Sequence, residues 1–576
     1  MKNIKQEIAQ LLAQQVSSLT PEEIEKLIEI PADEKMGDYA FPCFRLAKAM
    51  RKAPQMIAAD IAAAIGNNPL FEKVEQVNAY VNMFLDKQEF ARVTLDAVCE
   101  QGPAYGNTDG WAGKTVIVEY SSPNIAKPFH IGHIRSTVIG ASIAKLYEAV
   151  GSKVVRLNHL GDYGTQFGKM IVAYRKWGNK EDVEKEPIKT LLSYYVKFHE
   201  EAEKDPALED EARETFVRLE AGEPAELELW EKFRTLSLEE FNRVYDMLDI
   251  HFDSYNGESF YSDKMPAVIE ELKEKGLLQE SQGAQIVDRE QFGMTPALIT
   301  KSDGSSLYIT RDLAAILYRK KTYNFDKCIY VVASQQNLHF QQWFKILELM
   351  GYDWAKNCVH VPFGLVSLEE GTMSTRSGRV VFLEDVLKAA VEKTREIIAE
   401  KGVNTDNMDE TAKIVGIGAV IFQELSNGRI KDYTFSWDKV LNFDGETGPY
   451  VQYTHARAAS VLRTAAGTAA VPVEGTPFDI NALDLSYITG EAGYSLVKLL
   501  YRFPEVVAEA AEKYEPSVVT RHIVDIAQTY NKFYHDERIL VDDEKEKAAK
   551  LALTYAAKQT IANGLYLLGM KAPEKM

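Results

Sequence analysis

The chain is poor in cysteine, with only Cys43, Cys99, Cys328 and Cys358 among 576 residues. No two of them form a C-x-x-C pair, which disfavours a thiolate zinc site and a disulfide framework, so a reducing, cytoplasmic compartment is the expectation. No run of about 18 apolar residues occurs, and no membrane span or membrane partner is expected. The segment 1–16, MKNIKQEIAQLLAQQV, mixes charge and apolar residues on a helical period and lacks the apolar block of a secretory leader. Internal repeats, low-complexity blocks and an H-E-x-x-H zinc motif are missing as well, and no structural metal is expected. Positive charge is also scarce: 66 Lys and Arg face 85 Asp and Glu, for a net charge of -19. That balance argues at first sight against a nucleic-acid partner. The excess is local, however, because 201–240 holds 14 acids and 5 bases. A basic surface elsewhere is therefore permitted, and the default for 201–240 is a solvated helical face.

What is present fits a folded chain, with 46% hydrophobic and 26% charged residues. At about 150 residues per domain the length suggests three or four domains. Residues 1–112 read as an α+β unit, with helical spacing over 3–16 and 44–65 and a strand at 80–85. A loop rich in glycine at 102–110 marks a candidate boundary. Beyond it, Thr115–Tyr120, Lys153–Leu157, Ser306–Ile309, Lys327–Ala333 and Val359–Val366 read as strands. Helices at 311–319, 340–350 and 383–400 follow the last three, and a helical pattern running to Val150 follows the first. Strands alternating with helices predict a doubly wound parallel sheet, interrupted by a charged helical insertion at about 168–290. After about 410 the pattern is nearly all helical, Pro504 and Pro516 are expected to mark helix boundaries, and 464–482 reads as a loop.

The chemistry concentrates in Ser121–His133, SSPNIAKPFHIGH, between a predicted strand and a predicted helix. Open α/β sheets bind ligands at the C-terminal ends of their strands, and a helix N-terminus there favours phosphate. Gly132 lets a nucleotide approach without a Cβ in the way. His130 and His133, on one turn, can donate to phosphate oxygens as charge develops. The bland alternatives for H-x-x-H are surface or capping histidines or half a zinc site. The strand–loop–helix setting favours the catalytic reading.

H-I-G-H after a first strand resembles the signature of class I aminoacyl-tRNA synthetases. The fuller string 121–140, SSPNIAKPFHIGHIRSTVIG, is similar to the arginyl-tRNA synthetases in particular. So are 158–167 (NHLGDYGTQF), 308–312 (YITRD), 445–453 (GETGPYVQY) and 568–576 (LGMKAPEKM). The resemblance runs from the first strand of the expected sheet to the last residue. It implies an α/β, Rossmann-like catalytic domain at 113–440, an N-terminal α+β tRNA-binding domain at 1–112 and an all-α anticodon-binding domain at 441–576. The N-terminal unit, with Gly37-Asp38-Tyr39-Ala40, is similar to the family's domain that grips the tRNA elbow.

The resemblance also implies roles. ATP would meet His130, Gly132 and His133, together with the second nucleotide loop at 372–378, TMSTRSG, through Met373 and Ser374. Both lysines of the class pattern for that loop are missing, so the cation facing pyrophosphate is either Arg376 or Lys127. A guanidinium substrate calls for carboxylates, which it pairs with bidentately. By resemblance Asp312 takes the guanidinium, with Tyr308 and Gln336 beside it, and Asn124 and His130 hold the α-amino and carboxylate end. Glu119 should face the same crevice, and Glu258 is a second candidate carboxylate. Without the family, Asp312 reads as a helix-dipole residue and Thr310 as an N-cap. Tyr450, Tyr453, Tyr530, Tyr534 and Met576 are candidates to stack on anticodon bases, although aromatics at helical spacing also read as core.

The implied reaction is ATP-dependent formation of arginyl-adenylate, with Mg²⁺ accompanying ATP, and then transfer to the 2′-hydroxyl of the terminal adenosine of tRNA. The family often needs bound tRNA before it activates arginine. A monomer is expected. Two other readings stand beside this one: a synthetase-like RNA-binding protein without catalysis, and a small-molecule adenylyltransferase that also uses H-x-G-H.

Overall fold

A computed structural model describes residues 3–301, 308–368, 381–400, 407–440, 442, 445–466 and 478–576. The chain forms two compact units: Met1–Tyr105 with Thr454–Phe503 and Asp525–Asn563, and Gly106–Tyr453 with Pro504–Val524 and Gly564–Met576.

In the first unit, helix Pro21–Leu27 opens with a reciprocal Thr20–Glu23 capping box. A three-stranded antiparallel sheet runs in the order Tyr39–Pro42, Tyr80–Leu85, Phe71–Val77. The helix predicted over 44–65 is broken, because Arg51 turns left-handed at φ 49° and Pro54 starts a new helix, Pro54–Ile65. The expected boundary at Pro504 is not one: helix Glu491–Lys513 runs through it. A helical proline orphans the carbonyl four residues back. Here that carbonyl, on Leu500, accepts from the buried Tyr105 hydroxyl at 2.7 Å. Pro516 does precede a helix, Ser517–Asp536.

The second unit is built on a parallel sheet in the order Cys358–Phe363, Lys327–Ala333, Thr115–Glu119, Lys153–Leu157. Val116, Ile117 and Val118 are fully buried, as a central strand covered on both faces requires. Helix Ile134–Ala149 packs under it with almost every residue buried. A Cβ at Gly140 would collide with the Tyr120 side chain, so glycine sets the approach of helix to strand.

The insertion contains helices Thr165–Trp177, Pro187–Lys204, Ala207–Glu220 and Pro224–Leu248. Beside them lies an unexpected antiparallel sheet of Leu278–Ser281, Ala284–Val287 and Ala297–Thr300. Its hairpin turns on Gln282 and Gly283, both at positive φ, as a two-residue hairpin demands. The strand read at 306–309 is also corrected. Tyr308 and Ile309 open helix Tyr308–Tyr323, and 302–307 lie outside the described residues. Thr310 does not cap that helix; its hydroxyl donates to the Ile299 carbonyl at 2.8 Å. The strand read at 359–366 splits in two, since Val366–Leu368 leaves the sheet to pair with Tyr433–Phe435. The turn between them is gripped by Arg135, which donates to the carbonyls of Gly364 at 3.0 Å and Lys431 at 2.7 Å. The loop read at 464–482 falls partly outside the described residues, and helix Gly448–Ala465 enters its start.

Candidate active site

The two central strands deliver Glu119 and Ala333 to the C-terminal edge of the sheet. The loop leaving Glu119 is strained. Ser121, Ser122 and Ala126 adopt φ of 69°, 47° and 57°. Left-handed backbone at non-glycine residues costs about 1–3 kcal/mol each and persists only where surroundings enforce it. Hydroxyl groups enforce it here. The Ser121 hydroxyl bonds to those of Thr137 and Tyr245 at 2.8 Å each, and Ser237 Oγ accepts from the Ala126 N–H at 2.8 Å. Asn124, exposed, lies in this loop against Gly161, whose missing Cβ leaves room for the amide oxygen.

The loop ends in a cap made of imidazoles. His130 is the N-cap residue, and its Nδ1 accepts from the Gly132 N–H at 3.1 Å. His133 Nδ1 reciprocally accepts from the His130 N–H at 3.1 Å. The capping reading holds for this pair of rings, whose centres are 4.0 Å apart. The His130 Nδ1 that accepts carries no proton, so that neutral ring carries its hydrogen on Nε2, whereas His133 Nδ1 also lies 3.2 Å from the His130 carbonyl oxygen and its tautomer follows which of the two contacts it makes. Burial lowers His130 to about 4. Burial, with His130 and Lys127 nearby, lowers His133 to about 3. Both rings are thus neutral near pH 7, each with one ring N–H. The expectation of free helix-start amides is revised: Ile131 N–H donates to Val381 O at 3.0 Å, and the His130 and Gly132 amides serve the cap.

Three candidate carboxylates cluster nearby, each with a partner. Glu119 Oε2 is 2.5 Å from Arg319 Nη1, both buried. Arg319 is raised well above its usual range: burial opposes this and the Glu119 charge prevails. Glu258 Oε2 is 3.1 Å from Arg311 Nη1. Burial pushes the Glu258 carboxyl up to about 7, against the pull of Arg311 and Lys127 and with the push of Asp312 and Asp162. Asp312 Oδ2 is 2.6 Å from His339 Nε2. His159 feels Glu119, Arg319, Asp312 and Asp162, and burial lowers it. Lys127 acts on both His133 and Glu258, so one cation lies within electrostatic reach of the imidazole pair and of the acidic cluster. Tyr308, 67% exposed, opens the helix bearing Asp312, and Gln336, exposed, ends the short turn before helix Asn337–Leu349.

Met373, Ser374 and Arg376 lie outside the described residues. The chain that follows them is described: Leu383 N–H donates to Phe129 O at 2.9 Å, which bridges Phe382 to His130. Tyr453 is 42% exposed, whereas Tyr450 and Met576 are half-buried. Tyr534 is exposed, with the Arg457 guanidinium 5.2 Å from its ring centre. Tyr530 is fully buried, so its ring is a core residue with no face open to a base. Among the described residues no cluster of His, Cys, Asp and Glu could hold a metal ion, and no helix is long and apolar enough to cross a membrane. All four cysteines are unpaired and buried.

Sequence reasoning missed Arg319, Arg311 and Tyr245 as partners. Only the charge of the two arginines, lying on the helix of Asp312, hinted at counter-ions for an acidic cluster.

Known proteins resemble this chain over its whole length. Residues 96–437 match the family described as tRNA synthetases class I (R), catalytic domain. Residues 2–85 match an arginyl tRNA synthetase N terminal domain and 451–576 a DALR anticodon binding domain. The chain is 57% identical to an arginine–tRNA ligase of Halothermothrix orenii and 58% identical to one of Clostridioides difficile, over 100% of each chain. Among solved structures it is similar to the arginyl-tRNA synthetase of Thermus thermophilus, with TM-score 0.81, 26% identity and full coverage of both chains.

Proposed function

The chain belongs to the class I arginyl-tRNA synthetases, and from that premise we propose how its residues divide the work of charging tRNA with arginine. The reaction has two steps. The arginine carboxylate attacks the α-phosphorus of ATP and pyrophosphate leaves, forming arginyl-adenylate. The 2′-hydroxyl of the terminal adenosine then attacks the arginyl carbonyl and AMP leaves. Neither step needs a protein nucleophile, so positioning and charge stabilisation carry the catalysis.

The imidazole N–H groups of His130 and His133 donate to phosphate oxygens as negative charge builds, with Gly132 beside them. Lys127 supplies positive charge near the phosphates, and Mg²⁺ arrives with ATP as part of the substrate. Met373, Ser374 and Arg376 retain the roles the family resemblance implies. Asp312 receives the substrate guanidinium, with Tyr308 and Gln336 beside it and Asn124 at the α-amino end. Glu258 and Glu119 shape the acidic wall while paired to Arg311 and Arg319. The domains expected at 1–112 and 441–576 hold tRNA, with Tyr534, Tyr453, Tyr450 and Met576 as candidate base contacts. A cytoplasmic monomer that activates arginine only with tRNA bound completes the proposal.

The observation that supports this reading best is electrostatic. Lys127 acts on His133 and Glu258 together, and Glu258 feels Asp312, so one cation lies within electrostatic reach of both the proposed phosphate donors and the proposed acidic wall. Purified protein should charge tRNA with arginine alone when offered each of the twenty amino acids in turn. Charging with another amino acid, or none, would count against it. Pyrophosphate exchange that proceeds fully without tRNA would remove the tRNA requirement.

A further inference from the structure

The three acidic side chains differ in what neutralises them. Glu119 faces Arg319 and Glu258 faces Arg311, so each already has a permanent guanidinium. The partner of Asp312 is an imidazole: His339 Nε2 at 2.6 Å from Oδ2. A carboxylate can only accept, so Nε2 carries the hydrogen, and a neutral imidazole suffices to make that bond. That bond occupies one carboxylate oxygen of Asp312. Among the described residues its other oxygen, Oδ1, has no hydrogen-bond partner.

We propose that His339 is a positioning residue for arginine: its Nε2–H pins the Asp312 carboxylate in one rotation and leaves the other oxygen to the substrate guanidinium. The inference rests on the assignment of Asp312 as the guanidinium acceptor. The terminal torsion of aspartate is broad and weakly restrained by itself, and the Asp312 side chain is 30% exposed. Without an anchor the carboxylate would rotate and lose the planar match that guanidinium recognition needs. Chain geometry makes the anchor precise. Strand Lys327–Ala333 ends at the sheet edge, the turn Ser334–Gln336 follows, and His339 lies in the first turn of helix Asn337–Leu349. Gln336 and His339 are three residues apart on that short path. One rigid strand end therefore delivers both a candidate substrate contact and the group that orients Asp312. Behind His339, the Phe340 ring packs flat on His360 at 4.2 Å between ring centres, which fixes the helix start.

The test compares His339→Leu, His339→Gln and Asp312→Asn in full-length protein, by aminoacylation with cognate tRNA. Glutamine places an amide N–H near the position of Nε2, and leucine removes the donor. A hydrogen bond to a charged group is worth about tenfold or more in affinity. His339→Leu should therefore raise the KM for arginine about tenfold or more while leaving the KM for ATP within about twofold, and His339→Gln should recover most of the loss. In the Asp312→Asn background, His339→Leu should add no further arginine defect. An unchanged arginine KM in His339→Leu, beside a strong defect in Asp312→Asn, overturns the role of His339 alone. Equal losses for arginine and ATP without rescue by glutamine also overturn it, since they mark general structural damage. An unchanged arginine KM in Asp312→Asn overturns the assignment beneath it.

Discussion

Glu119 and Arg319 form a buried ion pair at 2.5 Å, linking the end of a central strand to the helix that bears Asp312. A buried guanidinium left alone costs far more than the pair contributes, about 3–5 kcal/mol when one partner is removed. Glu119→Gln should therefore lower the melting temperature by several degrees as well as impair charging. Thermal unfolding followed by circular dichroism measures it, and an unaltered transition would show that Arg319 finds another counter-ion.

We propose the Asp312 carboxylate as the acceptor of the substrate guanidinium. Asp312→Ala should abolish arginine activation while ATP binding survives, because the nucleotide meets the imidazole end of the crevice. Equilibrium ATP binding beside tRNA-dependent pyrophosphate exchange separates the two. Unchanged catalytic efficiency for arginine would exclude Asp312 from the site.

The capping imidazoles have a pH consequence. Their folded values of about 4 and about 3 lie below the ordinary 6.5. The unfolded chain thus binds protons first as pH falls. The stability tied to the neutral rings is complete above about 6.5 and is lost as pH drops toward 4 and 3. Between pH 6.5 and 8 the adenylation rate should show no titration of these rings. A limb near pH 6.5 that disappears in His133→Asn would contradict this.

Glu258 shifts the other way, to about 7 through burial. Its neutral form favours the folded state, and that contribution fades as pH rises from about 4.5 through 7. A guanidinium prefers the ionised wall, so the KM for arginine should fall from pH 6 to 8. Glu258→Gln should flatten that slope, and a slope that persists in the variant assigns it to another group.

Tyr105 completes a helix that contains proline. Tyr105→Phe removes the donor to the Leu500 carbonyl and leaves a buried acceptor unpaired, at a cost of about 1–3 kcal/mol. A measurable drop in thermal stability with charging kinetics intact at low temperature is the expected result.

Much of the fold was readable in advance because its signals are short in range. Apolar runs rich in β-branched residues, such as Val116–Val118 and Cys328–Val331, read as strands and are buried ones. The loop from Ser121 to His133 carries its chemistry in adjacent letters. The misreadings share one cause. Tyr308 and Ile309 look like strand residues in isolation, and Pro504 looks like a helix stop until Tyr105, almost 400 residues away, supplies the missing bond. The hairpin at 278–287 hid among exposed polar residues with no alternation to betray it.

The amino-acid order by itself determined the parallel sheet, the imidazole pair and the family resemblance, since periodicity and motif spacing act within a few residues. Only the tertiary structure decided which carboxylate stands without a guanidinium of its own. Glu119 meets its arginine 200 residues on and Asp312 meets a histidine 27 residues on. Charge pairing depends on distances of a few ångströms in a medium of low dielectric, and packing alone sets those distances.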